Sequence, residues 1–362
     1  MSAFALPQNN QKADNAPDSW LLSRAGQGNN FAATGYIRFL LAIVVVVSHS
    51  YYYCHLAIPF INVWPTPQAA VCGFFVLSGW VIAGSVSRDS KGFYVRRIER
   101  LMPVYVVCLL WAQAPFHLFG RVFPLPGGSE LFNAPPSRWY IVFNLFFLQN
   151  FINVAEITFA PAWSMSCEVF YYLFAPILNK TATRWLFGLA LLSLASYLLK
   201  SLVKVDDVAA ANYGVGTAMM AWAWVSGFIA YRLRKTRPLV SILLLCSLGT
   251  FWLSGSGWLV LLTGLALLFG DRLNLSPNLE KTGVILGDLS YPLYLSHLTT
   301  LIVIAKVLPE SFHRRTVIAL FGAVAVAAII LFVVDIPCQA FFKRGRFQRA
   351  AQAAAAVPGG AV

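Results

Sequence analysis

Long apolar runs separated by short charged segments are the feature that most limits how this chain can fold. Hydrophobic residues make up 58% of the sequence and charged residues only 11%, against about a quarter charged in soluble domains. A soluble core could not bury this much apolar surface, whereas a bilayer solvates it. The sequence therefore predicts an all-α, polytopic membrane protein with about ten transmembrane helices. The apolar runs lie at 36–53, 69–87, 101–119, 163–179, 184–200, 213–231, 238–254, 256–270, 283–303 and 316–334.

The distribution of lysine and arginine predicts the orientation of these helices. A shorter apolar segment, 138–152, contains several polar residues. If the N-terminus is cytoplasmic and this segment does not cross, most of the 27 lysines and arginines lie on the cytoplasmic side, as the positive-inside rule requires. We therefore interpret 138–152 as a re-entrant or interfacial helix. The predicted organisation is a disordered cytoplasmic arm (1–33), a membrane domain (34–345) and a disordered cytoplasmic tail (346–362).

Several function classes have little support in the sequence. The net charge of +13 is divided among short segments and forms no basic tract, so no nucleic-acid partner is expected. Six scattered cysteines have no metal-ligand spacing, and no metal is expected. No internal repeat of the kind found in many transporters is visible, which argues weakly against a carrier.

Arg38 and His49 are ionisable residues at the start of and within the first predicted span. They are eleven residues apart, close to three helical turns, so both side chains lie on one helix face. Histidine is well suited to removing a proton near neutral pH, for example from a hydroxyl that acts as a nucleophile. His49 is therefore the candidate general base, with Arg38 as a second catalytic candidate. The alternative is that His49 only caps the helix at the outer interface.

An arginine cluster precedes the third predicted span. Arg96, Arg97 and Arg100 lie on adjacent positions of a predicted helix, just before Pro103. Guanidinium groups bind phosphate oxygens well, so this cluster is the candidate site for the phosphates of a coenzyme A donor. The alternative is an ordinary positively charged cytoplasmic loop.

Glu168 and Trp163 lie at the start of the fourth predicted span. A glutamate among apolar and aromatic residues is expected to pair with an arginine, orient a histidine or contact sugar hydroxyls. Glu168 is therefore a third catalytic candidate. Trp163 is a candidate for stacking on a sugar ring, with membership of the interfacial aromatic belt as the alternative.

The segment LGDLSYPLYLSHL contains a further set of polar residues. Tyr291, Tyr294 and His297 are three residues apart and lie on one slowly turning helix face. Tyr291 and His297 are candidates for substrate binding. The alternative for His297 is a neutral histidine with a structural hydrogen bond.

Asp335 lies near the end of the last predicted span. Pro337 follows it, which favours the end of a helix at this point. A local ion pair with Lys343 or Arg344 is the expected environment of this carboxylate.

These segments, taken in order, resemble the membrane acyltransferase-3 family of bacterial surface polysaccharide O-acyltransferases. The matching segments are the arginine and histidine of the first helix (Arg38, His49), GFFxLSG (73–79), FxxRRxxRLxP (93–103), a Trp-Ser, Glu and Phe-Tyr segment (163–171), SYxxYLxH (290–297) and Asp-x-Pro (335–337). In the last of these segments this chain has aspartate where the family pattern has glutamate, which weakens a catalytic role for Asp335.

The resemblance implies an O-acyltransferase in the bacterial inner membrane with ten helices and cytoplasmic termini. It implies cytoplasmic acyl-CoA, with acetyl-CoA expected, as donor substrate and no permanently bound cofactor. A glycan or lipid-linked glycan is the implied acceptor. Gly73 and Gly79 are expected to let helices approach closely beside the substrate path.

Two alternative functions stay open. One is a carrier or flippase for a glycan or lipid-linked precursor, and the other is an acyltransferase that acts on a small molecule. The oligomeric state stays open.

Overall fold

The computed structural model describes residues 29–59, 61, 65–120, 138–152, 157–203, 214–250, 257–309 and 314–355. Within these ranges every regular element is helical, which confirms the all-α prediction for that part of the chain. Two 3₁₀ turns, Ile157–Phe159 and Gly270–Arg272, and one π-helical turn, Leu331–Asp335, interrupt the α-helices. The α-helices are α1 Asn29–Tyr52, α2 Pro67–Arg88, α3 Phe93–Trp111, α4 Ala114–Phe119, α5 Arg138–Leu145, α6 Gln149–Ile152, α7 Ala162–Lys180, α8 Thr183–Val203, α9 Val215–Leu233, α10 Pro238–Thr250, α11 Trp258–Phe269, α12 Pro277–Val307, α13 Arg315–Ile330 and α14 Ile336–Ala355.

Every apolar run marked in the sequence overlaps a helix. Fewer of these helices are long and apolar enough to be membrane spans. Among the described residues four helical stretches are long and apolar enough to cross a bilayer, and they support a membrane protein. The count of ten spans is therefore not confirmed and stays a prediction. The four stretches are Phe31–Tyr52, Pro67–Arg88, Phe93–Phe119 and Arg315–Arg346.

Segment 138–152 folds into the short helices α5 and α6, neither of which is long enough to cross a bilayer. Asn144, Gln149 and Asn150 in this segment are buried and hydrogen-bonded to protein. The side-chain amide of Gln149 donates to the carbonyl of Ala162 at 2.7 Å, and that of Asn150 donates to the carbonyl of Trp163 at 2.8 Å. Both amides thus donate to protein groups, while the side-chain oxygen of Gln149 has no hydrogen-bond partner among the described residues. The re-entrant or interfacial position of the segment stays a prediction.

Two of the long helices begin with a proline preceded by a hydroxyl residue. Thr66 accepts a hydrogen bond from the backbone N–H of Ala69 at the start of α2, and Ser276 accepts one from Leu279 at the start of α12. The proline at the first helical position has no N–H to leave unpaired. These caps fix where α2 and α12 begin.

Glycines bring pairs of helix backbones into close contact. A methyl group at Gly35 of α1 would collide with the backbone carbonyl of Gly283 in α12. One at Gly79 of α2 would collide with the backbone carbonyl of Trp224 in α9, and Gly73 of α2 lies tightly against a leucine of α1. Helices in membranes use small residues in this way, and the close approach expected at Gly73 and Gly79 is observed.

We expect the variant Gly35→Ala to lower stability by about 1–3 kcal/mol, because its methyl group can be accommodated only by separating α1 from α12. The apparent melting temperature of the purified protein in detergent measures this effect. Gly188→Ala in α8 is the matched control, since open space surrounds Gly188 and alanine favours the helix. Equal melting temperatures for the two variants would contradict the close packing of α1 on α12.

The last helices differ from the sequence-based expectation. Pro337 does not end the helix, because the π-helical turn Leu331–Asp335 precedes it and α14 continues to Ala355. Such a turn re-spaces the backbone hydrogen bonds and so accommodates a residue without an N–H. Helix α1 begins at Asn29 and α14 passes residue 345, so helix extends beyond both expected limits of the membrane domain. Residues 1–28 and 356–362 lie outside the described ranges, and the predicted disorder of the two termini stays a prediction.

Candidate active site

A cavity of about 390 Å³ lies between helices α1, α2, α3, α7 and α12. Its two ends differ in chemistry. Arg96 and Arg97 of α3 and Arg346 of α14 line one end. Phe74 of α2 and Tyr294 of α12 line the other end. The cavity therefore connects a cationic mouth with a largely aromatic end wall.

Contacts with α2 show how far the cavity extends. Arg97 donates a 2.8 Å hydrogen bond to Ser85, near the C-terminal end of α2. Phe74, near the N-terminal end of the same helix, packs edge-on against Tyr294 with ring centroids 5.4 Å apart. The cavity thus follows α2 over about half of its length. In the predicted orientation the arginine mouth faces the cytoplasm.

His49 of α1 and His297 of α12 form a hydrogen-bonded pair. The Nδ1 atom of His49 lies 2.9 Å from the Nε2 atom of His297, and the two rings stack with centroids 5.1 Å apart. His297 is fully buried, whereas His49 is partly exposed. The edge of the Tyr53 ring packs on His49 at 5.1 Å. Both rings are therefore held by contacts on more than one side.

The hydrogen bonds of His297 determine which nitrogens of the pair carry hydrogen. The Nδ1 atom of His297 lies 2.9 Å from the carbonyl oxygen of Tyr294 and 3.1 Å from that of Leu293. Because a carbonyl oxygen only accepts, this nitrogen must donate, and Nε2 of the neutral His297 ring must accept. The Nδ1 atom of His49 therefore donates to it. The lone pair of His49 then resides on Nε2, which is the arrangement of a general base.

The cavity ends one helical turn short of the histidine pair. Neither His49 nor His297 is among the described residues that line it. Tyr294 closes this end, with its ring centroid 6.3 Å from that of His297 and its hydroxyl 2.8 Å from that of Ser164. Tyr294 thus lies between the cavity and His297, which in turn contacts His49.

Glu168 of α7 lies in the middle of the cavity and is itself buried. The hydroxyls of Ser78 and Tyr172 both donate to its Oε1 atom, the latter at 2.6 Å. The indole of Trp224 donates in turn to the Ser78 hydroxyl at 3.2 Å. Among the described residues Glu168 has no hydrogen bond to His49, so the possibility that it orients a histidine directly is not realised here.

Arg100 has carboxylate partners from two other elements. Its guanidinium lies 2.9 Å from Asp335 of the π-helical turn and 3.3 Å from Asp288 of α12, and both aspartates are buried. The expected local pair of Asp335 with Lys343 or Arg344 was wrong, because the turn directs the carboxylate towards α3. Arg100 therefore joins three elements of the fold at the cavity wall.

The other arginines differ in how strongly they are already bound. Arg96 forms a 2.6 Å ion pair with Asp89, and both side chains are partly exposed. Arg97 has a buried Nε atom without a hydrogen-bond partner among the described residues. Arg38 also lines the cavity. The predicted arginine cluster and Arg38 are thus brought to one cavity, and Arg97 is the member with donor capacity left for a ligand.

Of the predicted substrate-binding residues, one lines the cavity and two do not. Tyr291 lines the cavity and donates its hydroxyl to the carbonyl of Leu101 at 3.1 Å. Trp163 packs edge-on against Phe75, with centroids 6.4 Å apart, and is not a lining residue among those described. His297 contacts His49 instead of the cavity. Their roles in binding substrate stay predictions.

Sequence reasoning gave no role to Ser78 or Tyr294, which line the cavity, or to Asp288, which pairs with the lining residue Arg100. Asp288 carried a usable signal, because an ionisable residue inside a predicted span needs a partner. Tyr294 lies in the same short segment as two candidates. Ser78 belongs to the GFFxLSG segment, but its hydropathy context gave no signal, since a serine in an apolar helix usually bonds to its own backbone.

Comparisons with known proteins identify the family of this chain. A model of the acyltransferase-3 family, described as an acyltransferase domain, matches residues 32–334. Nodulation protein 10 of Rhizobium leguminosarum bv. viciae is 22% identical over 349 residues, covering 86% of this chain and 94% of that protein. Acyltransferase MdmB of Streptomyces mycarofaciens is 34% identical over 115 residues, covering 30% of this chain and 27% of that protein. No solved structure matches.

The family match extends over most of the chain and includes the helices that form the cavity and carry the histidine pair. Together with the apolar helices, it settles what kind of protein this is. The chain belongs to the acyltransferase-3 family and is a membrane enzyme that transfers acyl groups.

Proposed function

We propose that the enzyme is an O-acyltransferase of the bacterial inner membrane that uses cytoplasmic acyl-CoA, with acetyl as the expected acyl group. The acceptor is a hydroxyl of a cell-surface or exported carbohydrate, and both termini are cytoplasmic. The observation that carries the proposal is the cavity itself. Its arginine mouth suits the phosphates of coenzyme A, and its far end lies one helical turn from His297, which is hydrogen-bonded to the candidate base His49.

Different residues of the cavity bind different parts of such a donor. Arg97, with Arg96 beside it, binds phosphate oxygens at the mouth. The pantetheine arm extends past Glu168, whose carboxylate accepts hydrogen bonds from the amide groups of the arm. Apolar side chains such as Phe74 line the path of the arm, and Arg38 helps to position it. Arg100, already paired with two carboxylates, supports the wall.

The chemical step is a single acyl transfer. The Nε2 atom of His49 removes the proton of the acceptor hydroxyl while the acceptor oxygen attacks the thioester carbonyl carbon. A C–O bond forms, the C–S bond breaks, and the imidazolium returns its proton to the departing thiolate. His297 is a positioning residue, because its Nε2 atom holds His49 in the tautomer that leaves Nε2 free.

The test uses the full-length protein purified in detergent with acetyl-labelled acetyl-CoA and the glycans, lipids and lipid-linked glycans extracted from the source cells. The proposal predicts release of free coenzyme A thiol that depends on acceptor, with alkali-labile label in the carbohydrate fraction. Label in the lipid fraction alone, or in a small molecule alone, would instead support acylation of those acceptors. No thiol release with any fraction would contradict donor use and favour a carrier.

We expect Arg97→Ala to raise the KM for acyl-CoA by roughly tenfold to a hundredfold, because a hydrogen bond to a charged group contributes about 1.5–3 kcal/mol. The value of kcat should change little, since Arg97 is far from the reacting atoms at the opposite end of the cavity. Steady-state kinetics with varied acyl-CoA measure both constants. Arg184→Ala, an exposed arginine outside the cavity, is the control. An unchanged KM in Arg97→Ala would remove the phosphate-binding role.

A further inference from the structure

The hydroxyl groups of the cavity differ in where their hydrogens are directed. Those of Ser290 and Tyr291 donate to the backbone carbonyls of Gly287 and Leu101. Those of Ser78 and Tyr172 donate to the carboxylate of Glu168. All four hydrogens are thus directed to strong acceptors that a ligand would have to replace.

Tyr294 is the exception among the described lining residues. The hydroxyl of Ser164 donates its single hydrogen to the carbonyl of Pro161 at 3.0 Å, so it can only accept from Tyr294. The Tyr294 hydroxyl therefore donates to a neutral hydroxyl oxygen, a weaker acceptor than a carbonyl or a carboxylate. Its side chain is 6% exposed, so water does not compete freely for it. Exchanging this partner for a carbonyl oxygen costs little.

The position of Tyr294 matches that of a reacting carbonyl group. It lies at the end of the cavity opposite the arginine mouth, where the thioester of a donor bound by its phosphates would lie. It is also one helical turn from His297, which holds the base His49. A donor group at this point would meet the carbonyl oxygen while the base meets the acceptor hydroxyl.

We propose that Tyr294 is a catalytic residue whose hydroxyl leaves Ser164 and donates to the carbonyl oxygen of the acyl thioester. This inference rests on the proposed transfer from acyl-CoA. As the acceptor oxygen attacks, negative charge develops on the carbonyl oxygen, and the Tyr294 hydrogen bond stabilises it in a site from which water is largely excluded. The Tyr294 proton stays on the phenol, and the proton of the acceptor hydroxyl goes to His49.

The test compares Tyr294→Phe, which keeps the ring and removes only the hydroxyl, with wild type. We expect kcat to fall roughly 10²-fold, as when one donor to a developing oxyanion is removed. The control is Tyr171→Phe, which removes a buried hydroxyl bonded to the carbonyl of Thr217 outside the cavity. Its kcat should equal that of wild type, although its melting temperature should fall about as much as that of Tyr294→Phe.

A binding measurement separates a role in catalysis from a role in folding. The probes are coenzyme A and a ketone analogue of acetyl-CoA in which a methylene group replaces the sulfur. Tyr294→Phe should bind coenzyme A as wild type does and bind the ketone about tenfold more weakly, because only the ketone offers the carbonyl oxygen.

The outcomes distinguish this inference from the proposed function. An active wild type with equal kcat in Tyr294→Phe, or equal loss of affinity for both probes, would overturn the role of Tyr294 alone. A wild type that binds neither probe and releases no thiol would overturn the proposed function, and this inference with it.

Discussion

Replacing His49 by glutamine is expected to lower acyl transfer by about 10²- to 10⁴-fold, because glutamine retains a polar group near His297 but cannot accept a proton as a base. The binding of acyl-CoA should be unchanged, since His49 does not line the donor cavity. Thiol release under saturating donor measures the first effect, and equilibrium binding of coenzyme A measures the second.

The matched control for this variant is His117→Gln, an exposed histidine in α4 that should retain full activity. Comparable melting temperatures for both variants would show that the loss is chemical. If His49→Gln transferred acyl groups at the wild-type rate, His49 would not be the base, and its pair with His297 would be a structural hydrogen bond only.

Replacing Arg100 by methionine is expected to destabilise the fold by about 3–5 kcal/mol, because it leaves the buried carboxylates of Asp288 and Asp335 without this cation. Adding Asp335→Asn to that variant should recover part of the loss, since it removes one of the two carboxylate charges. The apparent melting temperature in detergent measures both effects.

Arg96→Met is the control for this prediction, because the ion pair of Arg96 with Asp89 is partly exposed and contributes at most about 1 kcal/mol. Together with the kinetics of Arg97→Ala, this comparison separates two roles within the arginine cluster. Arg97 should act on donor binding and Arg100 on stability. An Arg100→Met protein as stable as Arg96→Met would contradict the buried ion network that joins α3 to α12 and the π-helical turn.

The sequence predicted the helical class because hydrophobic runs of this length in a chain with few charges have no other stable solution. It also marked Arg38 and the arginine cluster as functional candidates, because ionisable residues at an apolar bundle need a partner or a ligand, and the structure brings them to one cavity. The glycine contacts of α2 were predictable for a related reason, since small residues allow backbones to approach.

The partners of individual side chains could not be predicted in the same way. His49 and His297 are 248 residues apart, and helices that are apolar on every side do not reveal in their sequence which neighbour they face. For Arg100 the sequence predicts phosphate as the partner but gives no sign of the carboxylates of Asp288 and Asp335 that the structure shows. The π-helical turn that directs Asp335 inward is likewise absent from the sequence pattern, because Pro337 predicts an end to the helix.

The measurement that tests the central claim most directly is an experimental structure of the protein with the ketone analogue of acetyl-CoA bound. Our account predicts the phosphates at Arg97, the pantetheine arm beside Glu168 and the ketone oxygen within hydrogen-bond distance of Tyr294. An analogue bound at another place, with the cavity between Arg97 and Tyr294 occupied only by water or lipid, would contradict it.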